Sequence, residues 1–217
     1  IKVSNKFDKV VFISKKELFQ AKKFIEKNKI VVIENNFNIE KKIYNFNKKN
    51  KKIIFLGNIN YLPNKLACYE FSKYILPKIN EKYPDIEFHI IGKINIFDKL
   101  LLKFFNNVEI HGPISNLRSA FRNSICGICN VRIATGFQNK ILNYISFGIP
   151  VIVSKESFVA GIFKENMNVC VFKKNEDLVN LVIKLKENKK LANKLSFNSS
   201  KILKNNFNSM KILKKYQ

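Results

Sequence analysis

No apolar run in this sequence is long enough to span a bilayer, and no apolar signal-type segment stands near its start. Both absences point to a soluble, cytoplasmic chain. Arginine occurs only at Arg118, Arg122 and Arg132, so the formal charge of +24 (40 basic against 16 acidic residues) is almost all lysine. Such an excess invites a nucleic-acid reading. The shortage of arginine, whose planar fork suits phosphate and base recognition, weakens it. Lysine is also spread along the whole chain together with Asn, Ile and Phe, all four encoded by AT-rich codons. Codon bias therefore explains the composition better, and no nucleic-acid partner is expected. Attraction to an anionic membrane face is compatible with the same charge.

Cysteine is sparse too. Cys68, Cys126, Cys129 and Cys170 are too few and too scattered for a secreted disulfide framework. "CGIC" at 126–129 superficially resembles a redox or zinc pair, but it lies in "SICGICNV", which reads as a buried strand. Residues three apart on a strand point to opposite faces, so the two sulfurs would not converge. No second pair completes a zinc site, and no metal is expected. A dinucleotide fingerprint, a Walker-type "GK[ST]", a Ser–His–Asp order and paired carboxylates are all missing.

What is present is a regular alternation. "VVFIS" (10–14) and "IVVIE" (30–34) flank a helical stretch at 15–29, a unit too small to bury its own apolar faces. The chain begins at Ile1 rather than methionine, and the expectation is an incomplete N-terminal domain over 1–37, then an Asn- and Lys-rich linker over 38–51. Strands are expected at 52–57, 87–92, 108–112, 125–131, 150–154 and 169–173. Helices are expected at 63–83 (with a kink at Pro77), 95–105, 116–123, 138–148 and from 175 onward. Continuous apolar strands alternating with helices imply a parallel sheet covered on both faces, a doubly wound α/β domain.

In such sheets ligands sit beyond the carboxyl ends of the strands, near the topological switch. That selects "GNINYLPN" (57–64), "HGPIS" (111–115) and "RIATGFQNK" (132–140). In the last, Gly136 lets backbone approach a ligand, and the free N–H groups of a helix start follow. Lys140, in the first turn, adds a point charge suited to a diphosphate. Asn143 is expected one turn on, on the same face as Asn139 and Lys140, while Ile141, Leu142 and Ile145 pack inward. An ordinary helix cap explains these residues equally well on their own. His89 reads as strand filler. His111, at a strand end beside Gly112, is a candidate to face a ligand.

Taken in order, "FLGNINYLPN", "FSKYILPKI", "FHIIG", "VEIHGPISNLRSAF", "VRIATGFQNKILNYISFGIPVIVS" and "FVAG" resemble the C-terminal half of a GT-B glycosyltransferase. They are similar to the family 4-like enzymes of exopolysaccharide gene clusters. The resemblance implies a Rossmann-like nucleotide-sugar domain over 52–195 and a C-terminal helix over 196–217 packing back toward an N-terminal domain, of which 1–37 is a remnant. It also implies sugar transfer from a UDP- or GDP-linked donor to an acceptor glycan or lipid-linked glycan, without metal or other cofactor. Peripheral contact with the inner membrane face fits the same picture. By that resemblance Lys140 and Arg132 contact the diphosphate or the transferred sugar. Gly57 and Asn58 line the cleft, Gly112 and Ile114 meet the base, and His111, Gly136, Phe137, Gln138, Asn139 and Asn143 complete the donor site. Two features depart from the family pattern. Thr135 and Asn143 stand where two glutamates are common, and Asn58 and Asn64 where an arginine and a lysine are common. A non-catalytic relative serving as a binding or scaffold protein is the alternative. Without its acceptor half, the chain alone is expected not to turn over.

Overall fold

The computed structural model describes residues 6–12, 23–32, 42–133 and 138–207. Strands β1 (Val10–Phe12) and β2 (Ile30–Val32) form a two-stranded parallel sheet, Val10 opposite Ile30. The helix expected between them is not continued to 29. Residues 23 and 24 form a turn and Lys27–Lys29 a single 3₁₀ turn, where Asn28 is a poor helix former.

The main sheet has six parallel strands. They are β3 (Lys52–Leu56), β4 (Glu87–Ile91), β5 (Val108–His111), β6 (Ser124–Cys129), β7 (Val151–Ser154) and β8 (Cys170–Phe172), in the order β5-β4-β3-β6-β7-β8. The chain winds outward from β3 to β5, returns to the centre at β6, and winds outward again. The doubly wound expectation is met, and the switch falls between β3 and β6. Buried isoleucines carry the strands: Ile53, Ile54, Ile90, Ile128 and Ile152 are each 0% exposed. Such strands, apolar on both sides, require helices on both faces.

Helix α1 (Leu62–Glu70) passes through a π-helical turn at Phe71–Ile75 into α2 (Leu76–Asn80). The expected disturbance at Pro77 takes this form. Proline lacks the N–H that would bond one turn back, and the widened turn precedes it. The remaining helices are α3 (Ile96–Lys103), α4 (Leu117–Ala120), α5 (Asn139–Ser146), α6 (Asn175–Glu187) and α7 (Lys189–Asn206). Helix α6 packs on α2 and the π turn, whereas α7 packs on α5, so the two lie on opposite faces of the sheet. The boundary expected between 195 and 196 falls inside α7, where Leu195 and Ser196 are both fully buried. The helix packs on α5 across that position, with Leu203 buried as well, and the rest of the expected closing helix lies outside the described residues.

Residues 42–51 form neither helix nor strand, but they are docked. The Ile43 and Tyr44 amides donate to the Phe147 carbonyl at 3.1 and 3.2 Å, and Lys186 Nζ donates to the Asn50 carbonyl at 2.6 Å.

Candidate functional site

At the switch point, the loops leaving β3 and β4 are stitched by backbone bonds. Gly57 N–H donates to Ile91 O at 2.9 Å, and Ile59 N–H to Lys93 O at 2.7 Å. Gly92, at φ +137°, allows this, since a Cβ there would stand 2.0 Å from the Gly57 carbonyl oxygen. Across the switch, Tyr144 of α5 bridges the two halves of the sheet. Its hydroxyl accepts from Leu56 N–H at 2.7 Å and donates to Ile128 O at 3.3 Å. The ring lies against Gly127, where a Cβ would come within 2.4 Å of it. The glycine of "CGIC" is thus a packing requirement. Both flanking cysteines are buried and unpaired, as are Cys68 and Cys170. Burial pushes the Cys170 thiol up to about 11.

This frame fixes Lys140. The side chain turns inward and is 7% exposed. Its Nζ donates to Asn64 Oδ1 at 2.6 Å and lies 3.8 Å from the centre of the Phe55 ring. Asn64 is held in turn by Asn58, whose carbonyl accepts from Asn64 Nδ2 at 2.9 Å. A Cβ on Gly57 would reach 3.3 Å from the ammonium, so the missing side chain leaves the lysine its space. Among the described residues no carboxylate pairs with Lys140. Burial pulls its pKa below the ordinary lysine value. Among the described residues this buried ammonium has an amide oxygen and a ring face beside it and no counter-charge. An anion at the start of α5 would supply one, and that helix begins without a capping side-chain bond at Gln138.

The structure brings Lys140, Gly57, Asn58 and Asn64 together. Asn64 was noticeable only as a polar residue of the same loop, because its bond to Lys140 spans 76 residues. Asn139 is exposed and Asn143 half-buried, with Asn143 Nδ2 donating to Asn139 O at 3.3 Å. The shared face expected for Asn139, Lys140 and Asn143 is therefore split. Lys140 follows the inward stripe of Ile141 and Tyr144, drawn in by the acceptor on Asn64. Gly136, Phe137 and Thr135 lie outside the described residues.

Arg132 is placed differently from Lys140. Its guanidinium donates to Lys173 O at 3.0 Å and Asn175 Oδ1 at 2.7 Å, and meets Glu70 Oε1 at 3.4 Å. It joins α1 to the start of α6, on the rim of an apolar cavity of about 500 Å³ lined by Pro63, Leu66, Tyr74 and Ile133. A second cavity, of about 340 Å³, lies at the amino end of β6, away from these loops. His111 stacks on His89, with ring nitrogens 2.9 Å apart, and His89 reaches Glu87 Oε2 at 2.9 Å. The ring expected to face a ligand is engaged along the sheet by the neighbouring strand, and burial lowers the pKa of His89. Gly112 is exposed, with open space around it, and Ile114 is half-buried against the core. Among the described residues no group of three or more His, Cys, Asp or Glu is placed to hold a metal, and no helix is long and apolar enough to cross a membrane.

The family model described as "Glycosyl transferases group 1" matches residues 50–188. Among solved structures, a mutant of S. aureus TarM in complex with Fondaparinux, alpha-GlcNAc-glycerol and UDP superposes with a TM-score of 0.82 at 14% identity, over 98% of this chain and 44% of that one. Anabaena HepE in complex with UDP and glucose gives 0.78 at 14% identity, over 100% and 64%. The C-terminal domain of the group 1 family protein LpcC from Francisella tularensis gives 0.60 at 17% identity, over 79% and 97%. These likenesses show the fold. The chain spans under half the length of TarM and 64% of HepE. No curated protein matches the sequence.

Proposed function

The chain belongs to the glycosyl transferases group 1 family, and on that premise we propose that it is the donor-binding half of a nucleotide-sugar glycosyltransferase. The carrying observation is Lys140, a buried cation that no carboxylate of the described residues pairs, at the topological switch, 2.6 Å from Asn64 and beside Gly57. A nucleoside diphosphate sugar, UDP- or GDP-linked, provides the anion. In the transfer, the bond between the anomeric carbon and the diphosphate oxygen breaks. The acceptor hydroxyl oxygen bonds to that carbon, and the diphosphate leaves with the electron pair and takes up the proton that the hydroxyl gives up. Lys140 and the amino end of α5 stabilise the charge that grows on the leaving group. Donors fixed in a water-poor site do this without reorganising. The proposed chemistry asks no metal of the site.

The acceptor is a glycan or lipid-linked glycan of exopolysaccharide type, held against an N-terminal domain. The work is done at the cytoplasmic face of a membrane with peripheral contact to it. Support for the donor comes from the neighbours' complexes with UDP. Saturation-transfer NMR with UDP and GDP tests the reading. Signals from one nucleotide, displaced by its sugar conjugate, are expected. A folded chain silent toward both would refute the donor site.

Asn143 favours a second reading, binding without turnover. It is a neutral amide bonded to its own helix, and it lacks the charge that strengthens bonds to sugar hydroxyls. Release of nucleoside diphosphate from donor and acceptor, by a protein carrying both halves, separates the two readings. Turnover supports transfer, and donor binding without release supports the scaffold.

A further inference from the structure

Helix α3 carries its apolar face outward. Ile96, Phe97, Leu100, Leu101 and Phe104 are 61, 76, 53, 53 and 84% exposed. At 100° per residue these five fall within one stripe about 140° wide. The orientation is set from the other side. Leu102 is fully buried in the core, and the Asp98 carboxylate is tied to Lys65 of α1 at 2.7 Å. Asn95 caps the helix, its Oδ1 accepting from Asp98 N–H at 2.9 Å. Rolling the stripe inward would therefore expose Leu102 and break the ion pair. Lys99 and Lys103 border the stripe, Lys93 precedes it, and the one acid of the segment, Asp98, is 6% exposed. Outward-facing phenylalanines and leucines flanked by lysine, with no exposed acid, are the makings of an interfacial helix.

We infer that α3 is a membrane anchor, lying in the headgroup layer of an anionic bilayer with Phe97 and Phe104 inserted and Lys99 and Lys103 among the phosphates. Charge selects this occupant over a second copy of the chain. Two copies would each bring +24, whereas an anionic surface is complementary to the lysine border. The inference rests on the peripheral membrane contact proposed above and not on the transfer chemistry. It also orients the site. Helix α3 follows directly from the loop whose Lys93 carbonyl holds Ile59 in the Gly57 loop. Anchoring there brings the Gly57 loop near the surface from which a lipid-linked acceptor comes.

Flotation of the purified 217-residue chain with vesicles of phosphatidylcholine alone, or mixed with phosphatidylglycerol, provides the test. The native chain should float with the anionic vesicles and not with the neutral ones. Phe97→Asp/Phe104→Asp, at solvent-exposed positions, should keep the native melting temperature and lose at least about tenfold in affinity through the lost apolar insertion. Phe97→Leu/Phe104→Leu should largely restore it. Each of Lys99→Gln and Lys103→Gln should cost about fivefold, the weight of one lysine near an anionic surface. Failure of the native chain to bind anionic vesicles would overturn the membrane reading as a whole. Binding unchanged by the double aspartate variant would overturn the assignment to α3 alone. A concentration-dependent dimer that the same variant dissolves, without vesicle binding, would make the face a contact between copies and overturn it too.

Discussion

A lysine ammonium held under a ring face and one amide oxygen, with no carboxylate among the described residues to balance it, makes two measurable demands. Its folded pKa lies below the unfolded value of 10.5, so between the two the unfolded chain binds more protons. Stability contributed by this group therefore rises with pH through that window, ending at the ordinary lysine value. Denaturant midpoints of the native chain and Lys140→Met, compared across alkaline pH, should show this rise only in the native chain. Nucleotide affinity should move the other way, weakening as pH climbs through the lowered pKa and the ammonium loses its charge. The cysteines give a further check. All four are buried, and burial holds the Cys170 thiol near 11, so little thiolate exists at neutral pH. A thiol reagent should label the native chain slowly and all four sites promptly after unfolding. At this scale the sequence was legible where chemistry is local. Gly57, Asn58 and Lys140 stood out as loop and helix-start residues. The protein partners of Arg132, Glu70 of α1 and Asn175 at the start of α6, were not legible, because they are remote in sequence.

Among the elements, β6 and α5 depend on one close approach. Gly127→Ala would drive a methyl into the Tyr144 ring, at 2.4 Å, and should cost about 1–3 kcal/mol by overpacking. Tyr144→Phe strips the Leu56 amide of its acceptor and should cost about 1–3 kcal/mol for an unsatisfied buried donor. Thermal or urea unfolding reads both. The apolar runs and their spacing made every strand of the large sheet legible to within two residues, since all but the edge strand β5 run largely through the core. The helix ends were less so. The π turn answers a proline that was noticed, but α7 runs through an expected boundary because its inward face, Leu195 and Ser196, continues unbroken.

For the whole molecule, the net charge is the property most open to misreading. Lysine spread along the chain raises the pI to about 9.9 without building an arginine-lined groove. Binding to single-stranded DNA should then be weak at physiological ionic strength. Tight binding with a steep salt slope would restore the nucleic-acid reading. The parallel, doubly wound character of the sheet was legible from the alternation of strands and helices, whereas its order, β5-β4-β3-β6-β7-β8, was not. Of the loops selected from the sequence, the one leaving β3 meets the start of α5 at the switch, while the 111–115 loop follows the edge strand β5. The bond that joins the first to α5, Lys140 to Asn64, was not legible, because nothing local in either segment encodes a contact across 76 residues.

Donor binding turns on Lys140 as the counter-charge of a bound nucleoside diphosphate. Calorimetric titration of the native chain and of Lys140→Ala with UDP and with GDP, at moderate salt, tests it most directly. The native chain should bind one nucleotide saturably. In the variant that binding should weaken by about 1.5–3 kcal/mol, roughly ten- to a hundredfold, the range for hydrogen bonds to a charged group. Equal affinity in a folded Lys140→Ala variant would contradict it.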